Sequence, residues 1–175
     1  QVDDNEQRDI RVKLERDDES YRFVLQSDAT FKGRDGWQLN AQAGLAAGAT
    51  PKGPKVIDIA AITERCTDRT DGQGAALPSA QAGHLNFGPR WNVLRETAYG
   101  DGEGIARLSL DDAYQGDLDD GYLLHPALLD IATGWAMNLI KGYQSAHLWV
   151  PIAYETVRVL HPLPGEVFSW VRGHE

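Results

Sequence analysis

The segment at residues 126–141 (PALLDIATGWAMNLIK) constrains the fold most, because its apolar side chains cover nearly the whole circumference of a predicted helix. A helix with that distribution is buried on most of its faces. Pro126 suits the first helical position, Lys141 the last turn and Gly142 the C-terminal cap. The rest of the chain must therefore supply elements that surround this helix.

Stretches of alternating apolar and polar residues predict that these elements are strands. Residues 10–16 (IRVKLER) and 21–25 have the period of two that a half-buried strand requires, and a turn joins them into an antiparallel hairpin. Further strands are predicted at residues 37–45, 91–99, 105–110, 149–154, 156–160 and 166–171. The predicted fold class is α+β, with an antiparallel sheet wrapped around a central helix.

Between the strand-rich parts lies a segment rich in Ala, Gly and Pro, at residues 46–56 (AAGATPKGPKV), which is typical of a surface linker. Asp58 is placed to cap a short helix over residues 58–66 (DIAAITERC). Residues 67–79 are predicted to form a loop.

Charge and cysteine content exclude several classes of function. The net charge is −9, and nucleic acid binding needs a clustered positive face that the sequence does not show. Cys66 is the single cysteine, which excludes a disulfide framework and a cysteine-based zinc cluster. No apolar stretch is long enough for a membrane helix and the N-terminus is polar, so we expect a soluble cytoplasmic protein with no membrane partner. The histidines show no metal-ligand spacing, and we expect no metal.

Asp130 is the strongest candidate for a catalytic residue. A carboxylate in the opening turns of a helix is favoured by the helix dipole, whereas apolar neighbours such as Leu128, Leu129 and Ile131 disfavour its charged form. A partly desolvated carboxyl group can hold a proton and act as a general acid. Gly134, one turn further on, leaves space beside it. The alternative is that Asp130 is an ordinary charge near a helix N-terminus.

The other candidates also have two interpretations each. His125 is either a catalytic base or a residue that orders the helix entry before Pro126. His84 has no evident partner. Phe87 and Trp91, in the segment HLNFGPRW, are either core aromatics or platforms for a substrate.

Two segments together resemble the dehydratase domain of modular polyketide synthases, which has a double hot-dog fold. FGPRW (87–91) is similar to the family's Tyr-Gly-Pro-x-Phe motif, with Phe87 and Trp91 as aromatic replacements around Gly88 and Pro89. LHPALLD (124–130) is similar to the family's HPxxxD motif, which opens the second hot-dog helix.

The resemblance extends to neighbouring parts of the chain. IDIAAITERC (57–66) is similar to the segment that enters the second hot dog, and WVPIAYETVRV (149–159) to the strand pair after the helix. It implies three parts: residues 1–45 as the closing strands of the N-terminal hot dog, 46–80 as a linker and 81–175 as the C-terminal hot dog.

The family implies the elimination of water from a β-hydroxyacyl thioester to give an α,β-enoyl thioester. A histidine of the first hot dog would remove the α-proton, and Asp130 would protonate the departing hydroxyl group. The substrate would contact the residues of the two motifs and the glycine after them: Phe87, Gly88, Pro89, Trp91, Leu124, His125, Pro126 and Gly134. No cofactor is implied, since the substrate is carried on the phosphopantetheine of an acyl carrier protein.

Two departures from the family pattern bear on activity. The motif HxxxGxxxxP, which carries the base, is expected upstream of residue 1, and Glu175 is expected to lie within the second sheet, so this segment is expected to be incomplete at both ends and inactive alone. Many members have Gln or His four residues after the aspartate, where this chain has Gly134. The alternatives are therefore isomerisation, cyclisation or product templating, or a non-catalytic acyl-binding or scaffold module.

The resemblance also implies partners, namely an acyl carrier protein, neighbouring synthase domains and a possible homodimer. Carrier proteins are usually acidic, so an acidic chain would dock one through a local basic patch. The candidates, by sequence proximity, are Lys52, Lys55, Arg65, Arg69, Arg90 and Arg95.

Overall fold

A computed structural model describes residues 7–48 and 56–173. The chain divides into two compact units, Gln1–Pro54 and Lys55–Glu175. The predicted linker lies largely outside the described residues. The assignment of parts of the chain to two hot dogs stays a prediction.

The first unit is a three-stranded antiparallel sheet in the order β1-β2-β3, with β1 at Ile10–Asp17, β2 at Ser20–Phe31 and β3 at Arg34–Ala46. The predicted hairpin and third strand are confirmed, because a period of two is a local signal that the strands themselves carry.

One face of this sheet is apolar. Ile10, Val12 and Leu14 alternate along β1, and Val12 and Leu14 pair with Leu25 and Phe23 of β2. The three β1 side chains are nevertheless 69, 59 and 59% exposed. The half-burial expected for them is therefore absent from the described structure.

The second unit contains two helices and a four-stranded antiparallel sheet in the order β4-β5-β6-β7. The helices are α1 at Ile59–Arg65 and α2 at Pro126–Gly134. The strands are β4 at Asp68–Asp71, β5 at Leu94–Tyr99, β6 at Glu103–Ser109 and β7 at Glu166–Arg172. Three 3₁₀ segments lie at Pro89–Trp91, Asp112–Asp120 and Met137–Leu139.

The two helices pack on opposite faces of this sheet, because successive residues of a strand point to opposite faces. Leu128 and Ile131 of α2 belong to the main core with Ala106 and Leu108 of β6. Ile105, the β6 residue next to Ala106, points to the opposite face and packs in a smaller core with Ile62 of α1. The architecture is α+β, as predicted.

A glycine permits the close packing of α2's end on the sheet. A Cβ atom at Gly104 of β6 would lie 2.9 Å from Cη2 of Trp135 and 3.2 Å from Cδ1 of Tyr99. The Trp135 ring therefore occupies space that any other residue at position 104 would need.

Around α1, one prediction is confirmed and one is wrong. Asp58 caps the helix, since its Oδ1 accepts a hydrogen bond of 3.0 Å from the Ala61 amide. The loop predicted at 67–79 instead begins with β4, which pairs with β5 from Asp68 opposite Tyr99 to Asp71 opposite Glu96. The sequence DRTD has no apolar alternation, so only its partner strand determines this element.

The helix predicted over 126–141 is too long, because α2 ends at Gly134. The hydroxyl group of Ser169 in β7 donates a 2.7 Å hydrogen bond to the Ala132 carbonyl, the acceptor that the next helical turn would use. Leu129 is 36% exposed and Ile140, beyond the helix end, 44%. The helix is therefore buried along one side and not on most of its circumference.

The strands predicted at 149–154 and 156–160 are also wrong, since residues 141–165 contain no strand. The apolar residue Ile152 in this segment is 97% exposed. Alternation produces a strand only where the segment pairs with another strand, and residues 149–160 pair with none of the described strands. The second hairpin starts at Leu94 rather than at Trp91, because Pro89–Trp91 forms a 3₁₀ turn.

Candidate active site

A cavity of about 310 Å³ lies in the second unit, beside α2. Its walls come from α2 and the turn after it, from the loop at 79–87, from residues 149–151 and from the end of β7. Most of the lining is apolar, and the polar side chains in it are Ser79, Gln81, Asp130, Thr133 and Arg172. A mainly apolar cavity with few polar groups is typical of a site for a small, largely apolar ligand.

Asp130 stands at this wall on α2, in the second turn after Pro126, which occupies the helix start. Its side chain is exposed and not surrounded by apolar neighbours, so the predicted desolvation is wrong for this structure. The Nε1–H group of Trp91 donates a hydrogen bond of 2.7 Å to Oδ2 of Asp130. The structure thus joins the two motif segments through one side-chain contact.

The Gly-Pro pair explains how Trp91 reaches Asp130. Pro89 opens the 3₁₀ turn, whose first hydrogen bond runs from the Trp91 amide to the Gly88 carbonyl at 2.9 Å. Proline's fixed φ suits that position. Trp91 itself is half-buried and packs against the main core.

Arg90, which lies between Pro89 and Trp91 in this turn, forms an ion pair with Asp117. The guanidinium group donates hydrogen bonds of 2.7 and 3.4 Å to the two carboxylate oxygens. These bonds, and the weaker contact with His125, hold the pKa of Asp117 below its ordinary value although partial burial opposes the shift.

His125 is buried, 3% exposed, and does not line the cavity. It occupies the N-cap position of α2, but its side chain makes no capping hydrogen bond. Its Nε2 lies 3.5 Å from Oδ2 of Asp117, and Nδ1 has no partner among the described residues. The side chain therefore packs at the helix entry, in contact with the Arg90–Asp117 pair.

Of the other predicted contact residues, Phe87 and Gly134 line the cavity together with Asp130. A Cβ atom at Gly134 would have Met137 Cε, at 3.9 Å, as its nearest neighbour, so the space expected there is present. The cavity lining does not include the remaining four, and their role in binding stays a prediction: Gly88, Pro89, Leu124 and Pro126. His84 is also outside it, with Nε2 2.9 Å from the Ser145 carbonyl oxygen.

Sequence reasoning missed Gln81, which is only 4% exposed and lines the cavity. Its Oε1 accepts a 3.1 Å hydrogen bond from the Trp149 amide, whereas Nε2 has no partner in the described part of the chain. No pattern around Gln81 marks it, because the contact with Trp149 spans 68 positions of the sequence.

Residues 7–48 and 56–173 contain no cluster of three or more His, Cys, Asp or Glu side chains that could hold a metal ion. Within the same ranges, no helix has the length and apolar character needed to cross a membrane.

Comparison with known families decides which group of proteins this site belongs to. The family model described as the polyketide synthase dehydratase N-terminal domain matches residues 57–174. The chain belongs to this family. The match includes both motif segments and every residue that lines the cavity.

A curated relative and several solved dehydratases support the assignment. Polyketide synthase PksN of Bacillus subtilis (strain 168) is 25% identical over 128 residues, which are 69% of this chain and 2% of PksN. The dehydratase domain from the CurF module of curacin polyketide synthase has a TM-score of 0.83 at 17% identity, and the match covers 99% of this chain and 61% of that domain. The corresponding CurK dehydratase domain has a TM-score of 0.71 at 19% identity, over 99% of this chain and 60% of that domain.

These structures confirm the hot-dog dehydratase fold class that the motifs predicted. The chain spans about three fifths of the length of the solved dehydratase domains that it matches. Two further matches, with TM-scores of 0.69 and 0.68, are inactive mutants of CurK dehydratase, one with a histidine replaced by phenylalanine and one with an aspartate replaced by asparagine.

Proposed function

We propose that this chain forms part of a dehydratase domain that removes water from a β-hydroxyacyl thioester on an acyl carrier protein, with Asp130 as the general acid. The observation that carries the proposal is the position of Asp130, whose carboxyl group lies at the wall of a mainly apolar cavity and is held by Trp91. Membership of the polyketide synthase dehydratase family supports hydro-lyase chemistry at this site.

The cavity suits an acyl chain. Its apolar lining, including Phe87, Met137 and Val150, offers contacts to methylene groups, and these contacts exclude water from the chain. Among the few polar side chains of the lining, Asp130 is the one that carries a carboxyl group. A substrate hydroxyl group placed against Asp130 would then have its carbon chain along the apolar wall.

The proposed reaction is an elimination of the α-proton and the β-hydroxyl group. A base removes the α-proton, the electron pair of that C–H bond forms the α,β double bond, and the bond between the β-carbon and the hydroxyl oxygen breaks. Asp130 gives its proton to the departing oxygen, so the products are water and the enoyl thioester. Proton transfer by a positioned carboxyl group contributes about 10²- to 10⁴-fold to such a step.

The base is proposed to be a histidine from outside residues 1–175. Of the histidines that the structure describes, none lines the cavity. The inactive CurK dehydratase mutants, in which a histidine or an aspartate is replaced, support a pair of these two residue types.

The proposed partners are the carrier protein and neighbouring synthase domains, with a homodimer as a further possibility, in the cytoplasm. Four of the basic residues predicted to bind the carrier protein are described, and each already has a partner. Arg65 is paired with Glu103 and Arg90 with Asp117, while Arg69 and Arg95 donate to backbone carbonyl groups. A docking patch would therefore share Arg65 and Arg90 with their carboxylates, while Lys52 and Lys55 lie outside the described residues.

The test is dehydration by the intact synthase with Asp130→Asn. The enoyl product on a β-hydroxyacyl carrier protein is measured by mass spectrometry of its phosphopantetheine arm. We expect a loss of at least about 10²-fold, because the amide cannot donate a proton as an acid does. Asp120→Asn, an exposed aspartate outside the cavity, is the matched control and should retain activity.

The outcomes separate the proposal from the alternatives. Asp130→Asn with undiminished dehydration would overturn the role of Asp130. A wild-type synthase that shifts a double bond or closes a ring without forming the enoyl thioester would favour isomerisation, cyclisation or product templating. Binding of the acyl chain without turnover would favour the scaffold module.

A further inference from the structure

We propose that Trp91 is a positioning residue that determines which carboxyl oxygen of Asp130 carries the transferred proton. This inference rests on the proposed role of Asp130 as the general acid. It concerns a residue that touches the acid and not the reacting atoms of the substrate.

The contact itself assigns the two oxygens of Asp130. An indole N–H group is a donor only, so the oxygen that it binds must be an acceptor in both protonation states. That oxygen is Oδ2, which lies 2.7 Å from Nε1 of Trp91. Because the carbonyl oxygen of a neutral carboxyl group is a stronger acceptor than its hydroxyl oxygen, this contact favours the proton on Oδ1, which has no hydrogen-bond partner among the side chains and backbone groups that the structure describes.

Contacts within the protein fix the orientation of the Trp91 indole. Its ring packs against the main core, and the amide of Trp91 is bound to the Gly88 carbonyl within the 3₁₀ turn. The preceding residue, Arg90, is fixed by its ion pair with Asp117. A donor held in this way spends no substrate-binding energy on its own orientation.

Helix α2 offers Asp130 no equivalent donor. Gly134, four residues on, lies one turn away on the same face and has no side chain. The Thr133 hydroxyl group is turned back to the carbonyl groups of Leu129 and Asp130. In the described structure, Trp91 is the side chain that donates to the Asp130 carboxyl group.

The first test is Trp91→Phe in the intact synthase, assayed by dehydration of a β-hydroxyacyl carrier protein. Phenylalanine keeps an aromatic ring in the core but removes the donor. We expect kcat to fall by about tenfold to a hundredfold, the cost of a misplaced catalytic group, while KM changes by less than about twofold.

Trp170→Phe is the matched control. The indole of Trp170 also donates to a carboxylate, Glu103 Oε2 at 2.9 Å, but Glu103, unlike Asp130, does not line the cavity. We expect this variant to retain the wild-type kcat. Equal losses of kcat in the two variants would show a general structural effect and overturn the inference.

A second variant tests rescue. Gly134→Gln places an amide donor one turn from Asp130, and a Cβ atom there meets nothing closer than 3.9 Å. Added to Trp91→Phe, it should restore kcat at least severalfold. A Trp91→Phe variant with wild-type kcat would overturn the inference.

The activity of Asp130→Asn shows whether a negative result concerns only the role of Trp91 or also the proposed role of Asp130. If Asp130→Asn is inactive and Trp91→Phe has wild-type kcat, the role of Trp91 alone is wrong. If Asp130→Asn is active, both are wrong. If Asp130→Asn keeps a measurable residual rate and Trp91→Phe lowers that rate no further, the two residues act as one unit, as proposed.

Discussion

Arg90 donates two hydrogen bonds to the carboxylate of Asp117, from Nε to Oδ2 and from Nη2 to Oδ1. This pair connects the 3₁₀ turn that carries Trp91 with the segment Asp112–Asp120 that precedes α2. The FGPRW segment is thus tied to Asp112–Asp120 through this ion pair and to the LHPALLD segment through the contact between Trp91 and Asp130.

The ion pair predicts a specific dependence of stability on pH. The lowered pKa of Asp117 means that the folded state favours its ionised form. The resulting stabilisation is fully present above the ordinary aspartate pKa of about 3.9 and is lost as the pH falls through the lower folded-state value. Asp117→Asn should therefore lower the free energy of unfolding at pH 7, and its difference from wild type should shrink below about pH 4.

Urea unfolding at pH 7, 5, 4 and 3 measures this difference. Asp120→Asn, in the same segment but exposed, should have a smaller effect at pH 7. A constant difference between wild type and Asp117→Asn at all four pH values would contradict the assigned role of the ion pair.

Adjacent leucines of α2 provide a test of which side of the helix is buried. Leu128 is fully buried in the main core, whereas Leu129 is 36% exposed. Leu128→Ala should lower the free energy of unfolding by about 2–5 kcal/mol, because it leaves a cavity in the core. Leu129→Ala should cost less than about 1 kcal/mol. Equal losses would mean that α2 is surrounded, as the sequence pattern indicated.

Gln81 should affect substrate binding more than catalysis. Gln81 lines the cavity, its buried Nε2 has no hydrogen-bond partner among the described residues, and an unmade hydrogen bond of this kind is costly. We expect an oxygen of the bound acyl thioester to accept from it. Gln81→Leu should then raise KM about fivefold to tenfold with little change in kcat. An unchanged KM in steady-state assays of the intact synthase would rule out this contact.

The sequence predicted well those elements that are determined by residues close together in the chain. The alternation in β1 and β2 and the cap at Asp58 depend on residues close together in the chain. Strand β4 could not be predicted, since its four residues are exposed and only pairing with β5 makes them a strand. Residues 149–160 show the converse, because a strand pattern that pairs with none of the described strands is irregular.

The site was predictable in part for the same reason. The HPALLD motif identified Asp130, but its environment depends on Trp91, which is 39 positions away. The apolar neighbours of Asp130 in sequence do not surround it, because side chains at adjacent positions of a helix point in different directions. Leu128 enters the core while Asp130 stays exposed.

The bond from Ser169 to Ala132 also bears on the order in which the domain is completed during translation. Ser169 is made 37 residues after Ala132, so the carbonyl group that ends α2 has no sheet partner while the helix is emerging from the ribosome. The bond that ends α2 and the cavity wall at Val171 and Arg172 both require β7, so the pocket beside Asp130 is complete only after this strand has been made.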